Sequence, residues 1–178
     1  PEPEHLVVLN DTAAPFGGTA VLATLSARLA VARGLRVTFI SGGPAAPDLA
    51  AAGVEIVSLG RASLLERPRL AAFSEGLHDR RVARAIGAWI AAHDGPRTIY
   101  HLHGWSQALS PSALQALRPV ASRTVLSAHD YSLACPNVVF QDYPRQRPCE
   151  LRPMSVACWA TQCDKRNSAH KAWRMARQ

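Results

Sequence analysis

His5-Leu6-Val7-Val8-Leu9-Asn10, then the loop Asp11-Thr12-Ala13-Ala14-Pro15-Phe16-Gly17-Gly18, then a helical pattern from Thr19 to Arg33: this succession decides the fold of the chain. The first run is short, apolar and rich in β-branched residues, and it stops at an Asn-Asp pair, which reads as a buried strand entering a turn. The following segment places Val21, Leu22, Leu25, Leu29 and Ala32 on one helical face, and Gly34 ends it. Leu35 to Ile40 then forms a second β-rich run, broken by Gly42-Gly43-Pro44. A strand, a glycine-bearing loop, a helix and another strand make one β-loop-α-β unit.

The alternation continues outward from that unit. Asp48 to Ala52 reads as one helical turn and Val54 to Leu59 as a third strand. Leu64 to His93 is a long helical stretch carrying Leu70, Phe73, Leu77, Val82, Ile86, Trp89 and Ile90, with Pro68 placed to reset its start. Arg97 to His103 gives a fourth strand, Pro111 to Leu117 a short helix, and Arg123 to Ala128 a fifth strand. Strands that alternate with helices predict an α/β, Rossmann-like, doubly wound and mainly parallel sheet with right-handed crossovers. Past Tyr131 the alternation stops: residues 132–164 are irregular and Cys-rich, and a last helical pattern runs from Ser168 to Gln178. The expected organisation is a domain over residues 1–131, extended by a Cys-rich insertion and C-terminal helix over 132–178 of the same domain.

Composition narrows the class. At 178 residues, 48% hydrophobic and 19% charged, the chain has enough apolar residues to build a core and does not read as disordered. No apolar run approaches the ~20 residues of a membrane span, and Pro1-Glu2-Pro3-Glu4 does not read as a signal peptide, so a soluble cytoplasmic protein is expected. The formal net charge of +7 is carried mostly by arginine, much of it between Arg61 and Arg84 and between Lys165 and Arg177. Such charge fits either solvated helix faces or an anionic partner: phosphate, lipid headgroups or nucleic acid.

Three groups of residues carry candidate chemistry. Gly17 and Gly18 precede a helix, where backbone N–H groups and the helix dipole favour an anion; Phe16 and Thr19 flank them. The alternative reading is a flexible strand-to-helix turn. Neither the dinucleotide glycine fingerprint nor the P-loop pattern is present. His129, Asp130 and Tyr131 follow the fifth strand, at the sheet edge where open α/β folds place ligands. His129 can hydrogen-bond a ligand hydroxyl or take up developing charge, while Asp130 either orients that ring or caps the next turn. His101 and His103 alternate on one strand; His103, beside Gly104, is the better site candidate and His101 is expected to be packed. His5, His78, His93 and His170 read as structural.

Cys135, Cys149, Cys158 and Cys163 are spaced C-x13-C-x8-C-x4-C within the irregular region. A structural four-thiolate zinc site would substitute there for a missing core, although the usual C-x2-C knuckles are absent. Free buried thiols, disulfides and an iron–sulfur cluster remain open as alternatives.

Taken in order, Pro15-Phe16-Gly17-Gly18, Ala32-Arg33-Gly34-Leu35-Arg36-Val37-Thr38, Tyr100-His101-Leu102-His103-Gly104 and Leu126-Ser127-Ala128-His129-Asp130 resemble the N-terminal half of a family 4 glycosyltransferase of the GT-B fold. The segment from His129 through Cys135-Pro136-Asn137, Cys149, Cys158 and Cys163-Asp164 to Lys171-Ala172-Trp173-Arg174 resembles a cysteine-bearing subgroup of those enzymes. The resemblance implies an acceptor-binding domain facing a second, donor-binding domain that carries most of the nucleotide-sugar contacts. That second domain is not matched in this chain, which is therefore expected to be inactive on its own. It further implies a saccharide or lipid-linked acceptor, no catalytic metal, retention of anomeric configuration, and Gly17, Gly18 and His129 beside the reacting sugar. The basic helices would place the protein peripherally at an anionic membrane. Two rival classes are a zinc-stapled basic nucleic-acid-binding module, which leaves the diglycine loop unexplained, and an NAD-type oxidoreductase domain, which lacks its fingerprint. The geometric expectation is that the diglycine turn and His129 converge on one rim of the sheet.

Overall fold

The computed structural model describes residues 2–178, which form two compact units, one ending at Ser127 and the other running from Ala128 to Gln178. In the first, a five-stranded sheet contains β1 (His5–Asn10), β2 (Arg36–Ser41), β3 (Glu55–Ser58), β4 (Thr98–Leu102) and β5 (Thr124–Leu126). All pairings are parallel and the strand order is β3-β2-β1-β4-β5, a doubly wound Rossmann-like arrangement. The central strand β1 is buried on both faces, as its apolar run requires. Val7 and Leu9 point to one side, with Ile86, Trp89, Tyr100 and Leu102. Val8 points to the other, with Phe39, Val37 and the alanines of α1 (Gly18–Ala32).

The helices differ from the sequence expectation in two instructive ways. In α1 the buried residues are Ala20, Ala23, Thr24, Ala27 and Ala30, whereas Val21, Leu22, Leu25 and Leu29 are each 46–48% exposed. Both stripes have helical spacing, and the small one packs because alanines let the helix lie close against a sheet already filled by Val8 and Phe39. The long stretch after β3 breaks into α3 (Arg69–Leu77) and α4 (Arg80–His93), preceded by the single-turn α2 (Pro47–Ala51) between β2 and β3. The break has a local cause: Asp79 is the N-cap of α4, accepting through Oδ1 from the N–H groups of Arg81 and Val82 at 3.0 and 3.3 Å. From there α4 buries Val82, Ile86, Trp89 and Ile90 on one face. The short α5 (Ser112–Ala116) and a 3-10 turn, Arg118–Arg123, lead into β5.

The second unit contains an antiparallel hairpin, β6 (Gln141–Asp142) with β7 (Arg147–Pro148), and two short helices, α6 (Val156–Ala160) and α7 (Ser168–Met175). The hairpin and α6 lie in the stretch that the sequence pattern leaves irregular. No helix among the described residues is long and apolar enough to cross a membrane.

Candidate functional site

In this strand order the chain leaves β1 toward β2 on one side and β4 leads to β5 on the other, so the crevice between the carboxyl ends of β1 and β4 is the topological switch point. Three loops meet there. The residues after β1 are tied to those after β2: Gly42 and Gly43 donate to the carbonyls of Asn10 and Asp11 at 3.0 and 2.8 Å, and Ala13 N–H donates to Ser41 Oγ at 3.0 Å. The residues after β4 are held by Asp11, whose carboxylate accepts from the N–H groups of Gln107, Ala108 and Leu109 at 2.9, 2.6 and 2.8 Å. Arg67 adds a bond from Nη2 to the carbonyl of Ala108 at 3.0 Å.

The floor of the crevice is narrow. A Cβ on Gly104 would stand 2.5 Å from Asn10 Oδ1 and 3.1 Å from Thr19 Cγ2, so only glycine lets β4 end against β1 and the first turn of α1. Asn10 is buried; its Nδ2 donates to the Thr12 carbonyl at 2.7 Å, and among the described residues its Oδ1 has no hydrogen-bond partner. From the sequence alone, Asn10 and Asp11 read only as the end of a strand. An Asx pair directly after a buried β-run at a switch point is the signal that finds them.

Gly17 is the N-cap of α1, with φ 82° and ψ 160°, a conformation suited to glycine. Among the described residues no side chain caps this helix end, and its first turn holds no acid, so its leading N–H groups are the kind of donors that suit an anion. A Cβ on either Gly17 or Gly18 would meet nothing within 4 Å, and Phe16 beside them is 82% exposed. The structure thus brings Gly17, Gly18, Thr19 and Gly104 to one end of the sheet.

His103 is 5% exposed, while His101 is half-buried. The β1–β4 pairing runs one residue beyond Leu102, with His103 N–H donating to the Leu9 carbonyl at 2.9 Å, and this draws His103 into the sheet. The two imidazoles lie 3.9 Å apart between centroids, and His101 Nε2 is 2.8 Å from Ser127 Oγ. Across the molecule His5 is buried at the amino edge. Its Nε2 is 2.9 Å from Thr38 Oγ1, which donates to Glu55 Oε2 at 2.7 Å, and its Nδ1 is 3.0 Å from Arg36 Nη2. Burial, and then the Arg36 guanidinium, push the His5 pKa below its ordinary value.

His129, Asp130 and Tyr131 are exposed residues at the start of the second unit. Asp130 Oδ1 accepts from Ser132 N–H at 2.8 Å, the turn-capping role, and the Tyr131 ring meets Phe140 edge-on at 5.0 Å. Cys135, Cys158 and Cys163 are buried and Cys149 is half-buried, all as free thiols. Among the described residues no three His, Cys, Asp or Glu side chains stand in a ready metal-ligating array.

The arginine-rich segment is less available than its sequence suggests. Arg61 and Arg67 both reach Glu75 and Asp79, at 2.7, 2.8, 3.0 and 3.2 Å, with the Asp79 side chain 1% exposed. Burial alone would lower the Arg61 pKa, but these carboxylates outweigh it and raise it. Arg69, Arg80, Arg81 and Arg84 are left facing solvent.

Fold and crevice define a Rossmann-like α/β domain with an anion-competent helix end at its switch point. Compared with protein families, with curated proteins and with solved structures, the chain matches none.

Proposed function

We propose that this chain is the N-terminal, acceptor-side part of a GT-B-type glycosyltransferase that moves a sugar from a nucleotide-sugar donor to a saccharide or lipid-linked acceptor. The observation that carries the reading is the uncapped start of α1 at Gly17-Gly18, set beside Gly104 at the β1–β4 switch point. In the reaction an acceptor hydroxyl attacks the anomeric carbon while the bond to the nucleoside diphosphate breaks. Backbone N–H groups at a helix end stabilise the departing negative charge without reorganising. His129 would contact the transferring sugar through a hydrogen bond to a hydroxyl, and the donor-side contacts would come from a partner domain. No catalytic metal is required by this scheme.

Exposed Leu65 and Leu70 and the solvent-facing Arg69, Arg80, Arg81 and Arg84 support peripheral contact with an anionic membrane, where a lipid-linked acceptor would reside. Titrating the isotopically labelled chain with nucleoside diphosphates and with inorganic pyrophosphate tests the central claim. Amide shifts concentrated at Gly18, Thr19, Ala20 and Gly104 are expected. Shifts confined to the arginine-rich helices, or none at millimolar ligand, would overturn it.

A further inference from the structure

Helix α1 is apolar almost all the way round, and only one side of it is used. Its alanine face packs against the sheet, while Val21, Leu22, Leu25 and Leu29 stand half exposed on the other side. Helices that are hydrophobic all round are normally covered on every side. Along the exposed side Gly18, Leu22, Leu25, Leu29 and Ala32 follow one another at intervals of four, three, four and three residues. That is the seam spacing of two helices packed along each other, with Leu25 at its middle and the small residues Gly18 and Ala32 at its ends. The spacing asks for a helix as the covering element.

Charge decides whose helix it is. The chain carries a formal net charge of +7, yet the one charged residue of α1 is Arg28, whose Nη2 donates to the Asp48 carbonyl at 3.1 Å. A partner of opposite charge finds little to recognise on this stripe, and a lipid surface finds none of the basic face that holds interfacial helices. The exposed Leu65 and Leu70 differ in this respect, having Arg67 and Arg69 as sequence neighbours. For two copies of the chain the requirement is reversed: in a two-fold contact each patch meets its own twin, so a charged patch repels itself and an uncharged one does not. The outer face of α1 is where two such basic molecules can meet, their more distant charges screened beyond a Debye length of roughly 8 Å at physiological salt.

We propose that the exposed face of α1 is a homodimer interface, two copies of the helix packing antiparallel along this seam with Leu25 at the two-fold axis. Antiparallel packing sets Leu22 of one protomer against Leu29 of its partner and opposes the two helix dipoles, whereas parallel packing would bring the positive poles at Gly17 together. With a rise of about 1.5 Å per residue it also keeps the two Gly17-Gly18 ends roughly 20 Å apart, so the dimer neither needs nor blocks an anion there and is independent of the glycosyl-transfer reading. A single helix face covers less than the roughly 800 Å² per partner of a standard interface; the dimer is therefore weak, with a Kd of about 10–100 µM, and the chain is monomeric at the low micromolar concentrations of an unfolding experiment.

Sedimentation equilibrium of the full chain between about 5 and about 500 µM should show a monomer passing into a dimer across that range of Kd. Leu25→Lys sets an ammonium against its own copy at the axis and should weaken association by at least about 100-fold, leaving a folded monomer by circular dichroism, while Leu65→Lys, at an exposed leucine off the seam, leaves Kd unchanged. In the unaltered chain, mixing isotopically labelled with unlabelled protein should give intermolecular NMR contacts between Leu22 and Leu29 and from Leu25 to itself. A chain still monomeric at about 500 µM, or a dimer that survives Leu25→Lys, would overturn the interface. Intermolecular contacts from Leu22 to Leu22 would refute the antiparallel order. Uptake by uncharged phosphatidylcholine vesicles that Leu25→Lys abolishes would assign the face to lipid and remove the second copy from it.

Discussion

Replacing Asp11 with alanine removes the acceptor of three backbone N–H groups at once, those of Gln107, Ala108 and Leu109. The bond to Gln107 is exposed and contributes little; those to Ala108 and Leu109 are part-buried and charge-assisted, each worth about 1.5 kcal/mol net. The summed loss is about 3 kcal/mol, a large share of the roughly 5–15 kcal/mol that holds a domain folded. For a chain of this size it corresponds to a fall in Tm of roughly 6–12 °C. Trp105, one of the four tryptophans of the chain, is buried in the same loop, so the tryptophan fluorescence follows the urea transition and includes a contribution from local loosening there. Amide exchange at Ala108 and Leu109 should accelerate more than exchange in β1. Asp11→Asn, which keeps one carbonyl acceptor, should lose about half as much. A urea midpoint within about 0.5 kcal/mol of the parent, with exchange at 108 and 109 unchanged, would show that the loop is held by other contacts and that Asp11 does not shape the crevice.

Four other outcomes follow from the structure. Gly104→Ala drives a Cβ to 2.5 Å from the buried Asn10 Oδ1, so it should cost about 1–3 kcal/mol in denaturant unfolding and weaken any diphosphate-induced shift at Thr19. Because the folded state lowers the His5 pKa, it binds fewer protons there than the unfolded chain; stability is full above about pH 6.5 and declines as pH falls through the lowered value. His5→Gln should flatten that acid limb in melts between pH 7.5 and pH 5. Arg67→Ala leaves Asp79 buried with Arg61 alone and should cost about 3 kcal/mol by denaturant midpoint. On α1, Leu25→Lys should change stability by less than about 0.5 kcal/mol, whereas Ala27→Leu should cost about 1–3 kcal/mol; the opposite order would mean that the leucine face is the packed one.

The sheet was legible because β1, β2 and β4 are continuous apolar runs whose burial leaves one arrangement, strands between helices. The five strands overlap the segments read from sequence, with ends shifted by at most a few residues. What periodicity could not decide was which stripe of α1 packs, since Ala20-Ala23-Ala27-Ala30 and Leu22-Leu25-Leu29 recur at the same helical intervals. Nor could it place the break before α4, which depends on a capping bond from Asp79 rather than on apolar spacing. The glycines of the crevice were visible as glycines, but Asp11 as a clamp on residues 107–109 was not, because its partners lie almost a hundred positions away. The burial of His103 was not legible for a related reason: it follows from how far β1 and β4 stay paired, a tertiary property.

The alanine-lined underside of α1 ties packing to electrostatics. The thickness of that layer sets how far the positive pole of the helix stands from the ends of β1 and β4. Side chains several turns away therefore govern the field at the mouth, and a single added methylene near Ala27 would lift the pole and dim its pull on any anion placed there, with the loop itself unchanged.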